Sequence, residues 1–355
     1  MFLTPHHVLS ATIFFSAFML TLLVCMIFAL LHKNKRDKTQ HRWLSKTNVL
    51  ITKAIFFDDE ENSEFKIPIN RRVTELLKNP LFRQTLINEL VISSKSISGT
   101  SAENLSLLYK QLDLNKDSLT NLQKNSWHKK AKAIQELAIM YQTEFSPQLY
   151  QLTNDKNEFI RMEAQISIVK FHGFDGLKFL SEITYPISEW HQINLLKELS
   201  AVSAADFKGI DTWLKSANHS VIVFALKLCA SYYQFDQYSN IVGCLIHSNP
   251  KIRLQAINCL KEIYDDHTSL ELIRIYQVQP TSLKLAILKA LQKIGSEESI
   301  SFLQGQLDSG NNQIKIATAR ALFHCGEEGA VLLDSHQSSH LYPLVDIIRQ
   351  IKMEK

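Results

Sequence analysis

The fold is decided by two copies of one pattern, NPKIRLQAINCLKEI at residues 249–263 and PTSLKLAILKALQKI at residues 280–294. In each copy an apolar anchor residue, Ile252 or Leu283, is followed by apolar residues four, eight and eleven positions later. These spacings place the apolar side chains on one face of an α-helix. The two stretches therefore predict two amphipathic helices in successive structural units.

The same pattern recurs every 30 or 31 residues through the last two-thirds of the chain. Its anchors are Lys129, Ile160, His191, Val221, Ile252, Leu283 and Ile314. Three residues before the anchors stand Ser126, Asn157, Ser188, Asn218, Asn249, Pro280 and Asn311. Serine and asparagine are preferred N-cap residues, because their side chains accept hydrogen bonds from the free amides that open a helix. Caps and apolar faces that keep one register over so many units are typical of a solenoid.

The units resemble the HEAT repeat, in the short bacterial form that also occurs in phycobilin-lyase-like proteins. The second helix of that repeat starts with an apolar residue, an arginine and, three residues later, an alanine. Ile160-Arg161 with Ala164 and Ile252-Arg253 with Ala256 match this start. The units at Leu283 and Ile314 have lysine instead of arginine and match the later part of the repeat, an Ala-Leu pair and a terminal glycine, whereas the units at Lys129, His191 and Val221 lack the basic residue. The resemblance covers about residues 126–355. It implies an all-α, right-handed solenoid of about seven two-helix repeats whose second helices line the inner surface, and it says little about function.

A second feature precedes the repeats. Residues 8–31 form a run of 24 residues without a charge, long enough at about 1.5 Å per residue to span a hydrocarbon core of about 30 Å. A cleaved signal peptide fits less well, because no lysine or arginine precedes the run and no small-residue cleavage pattern follows it. The run therefore predicts a single transmembrane helix.

Basic residues crowd the end of this run. They are Lys33, Lys35, Arg36, Lys38 and Arg42, and Asp37 is the acidic residue among them. The positive-inside rule then places the N-terminus outside the cell membrane and the rest of the chain in the cytoplasm. Of the chain's 39 basic and 35 acidic residues, residues 1–42 hold five and one, which leaves 34 of each beyond them. A neutral soluble part argues against a nucleic-acid partner, whose phosphates require a basic surface.

The predicted organisation has five segments. The chain is expected to run through an extracytoplasmic N-terminus (1–7), the transmembrane helix (8–31), a basic juxtamembrane segment and linker (32–65), a helical N-terminal cap (66–125) and the HEAT-like solenoid (126–355). Within the linker, residues 43–57 are apolar enough for a helix near the membrane surface. A cap is expected because the terminal units of solenoids are atypical.

No catalytic or metal-binding motif emerges. The sequence has no H-E-x-x-H, G-x-S-x-G, G-x-G-x-x-G or P-loop pattern. Asp113, Asn115 and Asp117 have the spacing of calcium ligands in an EF-hand, but Ser118 and Lys124 stand where that loop needs glycine and glutamate. The five cysteines form no C-x-x-C, as expected for a reducing compartment. We predict no cofactor, no metal and no enzymatic activity.

One surface pattern suggests a binding face. Positions six and ten after the anchors of the second helices hold several basic residues, which we call the basic column. Its members are Lys170, Lys197, Lys227, Lys289, Lys293 and Arg320, with Glu262 as an acidic exception. This column is either a solvated helix face or a docking face for an acidic protein segment.

The sequence thus favours a membrane-tethered cytoplasmic scaffold that binds a partner protein. Its topology suits an accessory subunit of a membrane enzyme or of a machine for envelope polysaccharide or export, with the lipid bilayer and a membrane-associated protein as its partners. The resemblance leaves one alternative open, a lyase-like or small-molecule-binding HEAT-repeat protein.

Overall fold

The computed structural model describes residues 5–57, 65–200, 202, 208–337 and 343–353. No strand occurs in these ranges, and the prediction of an all-α fold is confirmed. The helices before the repeats are α1 (Pro5–Ile55), α2 (Arg71–Leu76), α3 (Pro80–Lys95), α4 (Thr100–Gln111) and α5 (Asn115–Leu122). The helices of the repeat region are α6 (Trp127–Ile139), α7 (Ser146–Tyr150), α8 (Glu158–His172), α9 (Glu189–Leu199), α10 (Ile210–Trp213), α11 (His219–Ser231), α12 (Tyr238–Cys244), α13 (Pro250–Leu260), α14 (Thr268–Tyr276), α15 (Thr281–Ile294), α16 (Ile300–Gln306), α17 (Asn312–Phe323), α18 (Gly326–Gln337) and α19 (Leu344–Met353). Short 3-10 helices occupy Thr143–Phe145, Gly173–Ser181, Phe235–Gln237 and Glu297–Ser299.

The repeat pattern corresponds to real helices. All seven predicted second helices exist and contain the predicted anchors: they are α6, α8, α9, α11, α13, α15 and α17. Each predicted cap residue is the observed N-cap, and the side chains of Asn157, Ser188, Asn218, Asn249 and Asn311 accept hydrogen bonds from amides of the first turn. Ser126 and Pro280 make no such bond. Helices α11, α13, α15 and α17 pack on one another in series, so the second helices form a ladder.

The arginines that follow the anchors Ile160 and Ile252 have a structural role. Arg161 donates from Nη1 to the carbonyls of Asp155 and Lys156, at 2.8 and 3.0 Å. Arg253, one position after another anchor, donates in the same way to the carbonyls of His247 and Ser248, at 2.7 and 2.9 Å. In both repeats the guanidinium therefore satisfies the carbonyls of the turn that leads into the second helix.

A further helix pair follows the seventh unit. Helices α18 and α19 pack against each other and against α17. On α19, Leu344, Ile347, Ile348 and Ile351 are buried. Because α19 starts its apolar face one residue earlier than the period requires, the anchor pattern does not reveal this terminal pair.

The chain divides into two compact units, residues 1–147 and 148–355. In the first unit, α1 continues without a break from the apolar run into the segment predicted as a juxtamembrane linker. Residues 43–55, expected near the membrane surface, are the last turns of α1, and Leu50, Ile51 and Ala54 are buried in the core that this unit forms. The end of α1 is therefore part of the folded unit rather than a surface helix.

The first part of α1 has a different character. The helix Thr12–Ile55 is long and apolar enough to cross a membrane, with a hydropathy of 2.7 in its most apolar window and none of that window buried. Large apolar side chains such as Phe14, Met19 and Phe28 are more than 60% exposed. Such a surface is expected of a helix whose surroundings are lipid.

Candidate partner-binding surface

The basic column lies on the second helices of the second unit. Lys170 is on α8, Lys197 on α9, Lys227 on α11, Lys289 and Lys293 on α15, and Arg320 on α17. Helix α13 contributes the neutral Asn258 at the equivalent position. Since α8 packs on α9 and α15 packs on α17, these residues stand on neighbouring rungs of the ladder.

Three members carry charges that no described carboxylate offsets. Lys170, Lys197 and Lys289 are exposed, and none of them forms an ion pair with a residue in the described ranges. An exposed ammonium without a partner keeps its full attraction for an incoming anion, subject to screening by salt. These three lysines are the most available part of the basic column.

The other three members of the basic column are paired with a neighbouring side chain or partly buried. Lys227 is half-buried and donates from Nζ to Oε1 of Gln192 at 2.9 Å. Lys293 forms an ion pair with Glu262, and its ammonium holds the pKa of that carboxylate below the usual range. Arg320 is half-buried. The column is therefore less uniform than its sequence suggests, because Lys293 adds little net charge.

An apolar row runs beside the basic column. Its members lie two positions after the anchors. The basic position follows four residues later, about one helical turn further along the same face. The row consists of Met162, Ile193, Val223, Leu254, Leu285 and Ile316. None of these side chains is buried, and Ile193 and Leu254 are 56% and 38% exposed. The sequence carries this signal in six of the seven repeats, but an inspection limited to charged residues misses it.

A groove of about 870 Å³ lies where α9, α11 and α13 begin. Its walls include Lys227, His219 and Lys251, and also Val223 and Leu254 of the apolar row. The free amides and the dipoles of helix N-termini favour negative charge, which adds to the two lysines. Glu189 is the carboxylate in the wall. The groove can thus hold a segment that combines apolar and acidic side chains.

His191 occupies an anchor position that five of the other six repeats fill with apolar residues. It is 2% exposed, and its Nε2 is 2.7 Å from Oε1 of Gln165. Burial, together with the nearby Arg161 charge, lowers its pKa from 6.5 to about 4. His191 is therefore neutral at physiological pH and fills a core position through one side-chain hydrogen bond.

We expect His191 to make the folded state sensitive to mild acid. The unfolded chain takes up a proton at this residue below pH 6.5, whereas the folded chain does so only near pH 4, so stability falls as pH drops through this window. A shift of this size corresponds to at most about 3.4 kcal/mol. Urea unfolding of the detergent-solubilised protein between pH 7 and 4 measures the effect. In His191→Leu the free energy of unfolding should fall less steeply with pH, and parallel curves for the two proteins would refute the assignment.

Two other groups of residues that the sequence singled out are the EF-hand-like residues and the cysteines. Asp117, one of the three EF-hand-like residues, is taken by an ion pair with Arg83. No group of three or more His, Cys, Asp or Glu side chains in the described part of the chain is arranged to hold a metal. Cys229, Cys244, Cys259 and Cys325 are buried, and burial raises the pKa of the Cys244 thiol to about 11. A thiol with so high a pKa is a poor nucleophile.

The basic residues that follow the apolar run, which we call the basic flank, lie on the continuous helix α1. Lys33, Lys35, Lys38 and Arg42 are exposed, whereas the side chain of Arg36 lies outside the described residues. Lysines and arginines at this place suit the headgroup side of a bilayer.

Comparisons with known proteins add only general likenesses. No family model and no curated protein matches the chain. An engineered protein of known structure is 13% identical with a TM-score of 0.43, covering 79% of this chain and 87% of its own. A designed armadillo repeat protein is 14% identical with a TM-score of 0.32, covering 59% and 99%. The complex of CpcE and CpcF of phycocyanin lyase from Nostoc sp. is 10% identical with a TM-score of 0.28, covering 83% and 99%.

TM-scores this low support no conclusion about what the chain does. The class of the protein follows from its own repeats: the helix ladder, the N-caps and the recurring arginine contacts define an α-helical repeat protein. Proteins of this architecture offer an extended surface formed by one helix from each repeat.

Proposed function

We propose that this protein is a non-catalytic, membrane-tethered scaffold that binds a partner protein through the second helices of its repeats. The observation that carries the proposal is the adjacency of the apolar row to lysines without carboxylate partners. Interfaces combine apolar contacts, which supply affinity, with charges that steer and orient the partner. The complementary ligand is a protein segment with apolar and acidic side chains.

The membrane tether is the second part of the proposal. It rests on the exposed apolar length of α1 and on the basic residues that follow it. Anchoring two proteins in one membrane raises their effective concentration and so strengthens a weak interaction. An accessory role beside a membrane enzyme or an export machine fits this arrangement.

The tether predicts a cytoplasmic C-terminus. A reporter fused after Lys355 that folds only in the cytoplasm should be active, and one that requires export should be inactive, because the basic flank keeps residues 32–355 inside. Measuring both fusions in the same cells tests the orientation. Activity of the exported reporter alone would refute it.

Copurification distinguishes the scaffold from the lyase-like alternative. The full chain is extracted in mild detergent, and what remains bound is identified by mass spectrometry and by absorbance. A membrane protein in fixed proportion, released as salt rises, supports the scaffold because exposed ion pairs are screened. A coloured or small-molecule-loaded chain without a protein partner supports the alternative.

A further inference from the structure

The first unit contains a second candidate site at the foot of the apolar helix. A groove of about 670 Å³ lies between α1 and α3. From α1 its walls include His32, Lys35 and Trp43, and from α3 they include Gln84 and Asn88. None of the residues lining the groove is acidic.

The groove starts where the apolar run ends. His32 and Lys35 follow Leu31 by one and four residues, which puts them about 1.5 and 6 Å further along the helix axis. The headgroup layer on each side of a bilayer is about 5 to 8 Å thick. If α1 spans the membrane as proposed, both side chains are at the depth of lipid phosphates.

Lys35 has no carboxylate partner among the side chains that the structure describes. The Lys35 side chain is exposed. Lysines elsewhere in this unit, such as Lys78 and Lys116, are paired with carboxylates one helical turn away. An unpaired lysine that lines a groove can form a charge-assisted hydrogen bond with a phosphate.

Side-chain contacts hold the α3 wall of the groove in place. Gln84 donates from Nε2 to Oε1 of Glu136 at 2.8 Å, and Glu136 is 2% exposed. Lys132 donates to Oδ1 of Asn88 at 2.8 Å and lies 3.8 Å from the Glu136 carboxylate. Trp43 packs edge-on against Phe82, with ring centroids 5.8 Å apart. The Trp43–Phe82 contact joins α1 to α3, and the hydrogen bonds to Glu136 and from Lys132 join α3 to α6, so the groove is preformed.

We infer that this groove binds the headgroup of an anionic phospholipid from the leaflet in which α1 ends. The phosphate pairs with Lys35 and His32, and the amide of Gln40, which also lines the groove, is in reach of headgroup hydroxyls. The groove is larger than a phosphate ion requires, which favours a phosphate that carries a further polar group. Bound lipid would set the depth and rotation of α1 in the bilayer. This inference rests on the membrane anchor of the proposed function.

Native mass spectrometry of the full chain in non-ionic detergent tests the inference. Phosphatidylglycerol, phosphatidylcholine and inorganic phosphate are added separately at equal concentrations. We expect one phosphatidylglycerol to bind at least about tenfold more tightly than phosphatidylcholine, and no retained inorganic phosphate. Lys35→Gln should weaken phosphatidylglycerol binding by about tenfold, the loss expected for one charge-assisted hydrogen bond. Lys35→Arg should retain most of it.

Lys38→Gln is the matched control, since Lys38 is an exposed lysine of the same flank that does not line the groove. It should bind phosphatidylglycerol as the unaltered protein does. Equal losses of phosphatidylglycerol binding in Lys35→Gln and Lys38→Gln, or no loss in either, would refute the groove as the binding site. The lipid would then be attracted by the basic flank as a whole. If inorganic phosphate is retained and competes with phosphatidylglycerol, the groove binds a free ion rather than a lipid headgroup, and the inference is wrong.

An alkaline wash of membranes separates this inference from the proposed function. A chain released by the wash refutes the anchor and the lipid site together. A chain that stays in the membrane but shows no lipid selectivity refutes the groove alone. A retained chain with a selective, Lys35-dependent site supports both.

Discussion

Ala256→Asp should destabilise the second unit by about 3 to 5 kcal/mol, the cost of burying a charge without a partner. Ala256 is fully buried on α13, which packs between α11 and α15. The same apolar core includes Ile252 and Leu260, so a carboxylate there is surrounded by apolar side chains. Because a folded domain is stable by only about 5 to 15 kcal/mol, a change of this size should be evident in urea unfolding followed by circular dichroism.

Ala217→Asp provides the control for this substitution. Ala217 is exposed in the turn before α11, so the same chemical change should alter stability by no more than about 0.5 kcal/mol. Similar losses in the two variants would mean that the register of the repeat is wrong. Both proteins are compared in the same detergent, because α1 is present in each.

The repeat could be predicted because two independent signals shared one register. The apolar spacing gave the buried face, and the asparagine and serine caps gave the starts of the helices. The helix pair α18 and α19 was not predicted, because the apolar face of α19 is shifted by one residue. The period places an anchor at Val345, but Leu344 is the buried residue. Ala286 shows another limit: the helical period puts it on the solvent side, yet it is half-buried and packs against the core. Neighbouring helices cover residues that an isolated helix would expose.

The candidate surface was predictable in outline only. Sequence identified the lysines, but it could not show that Lys293 pairs with Glu262 of the preceding repeat or that Lys227 donates a hydrogen bond to Gln192 on α9 of the preceding repeat. Such contacts link residues about one repeat apart, so they depend on how the helices stack. The groove between α1 and α3 was equally hidden, because residues 32–65 read as a linker and gave no reason to place Lys35 beside Asn88.

Charge reversal of the three unpaired lysines should abolish partner binding while leaving the fold intact. Lys170→Glu, Lys197→Glu and Lys289→Glu together place like charges opposite an acidic segment, and interfacial charge reversal of this kind is strongly unfavourable. Each site is exposed, where a substitution typically changes stability by less than about 0.5 kcal/mol. We expect at least a hundredfold loss of partner recovered, about 3 kcal/mol at 1.4 kcal/mol per factor of ten.

A second triple variant controls for net charge. Lys178, Lys208 and Lys215 are exposed residues outside the second helices, and reversing them changes the net charge by the same amount. This variant should recover the partner as the unaltered protein does. An equal loss in both triple variants would show that overall charge, rather than the basic column, governs the interaction.

Photo-crosslinking in cells tests the central claim, that the second helices form the binding face, most directly. A photoreactive amino acid replaces Ile193 or Leu254 in the apolar row, and in controls it replaces Ile246 or Val278, which are 76% and 84% exposed at the ends of first helices. We predict that the two apolar-row positions crosslink to one and the same membrane protein, that Lys170→Glu, Lys197→Glu and Lys289→Glu together remove this product, and that the controls give none. Crosslinks of equal yield from all four positions, or a product unaffected by the charge reversal, would contradict the account.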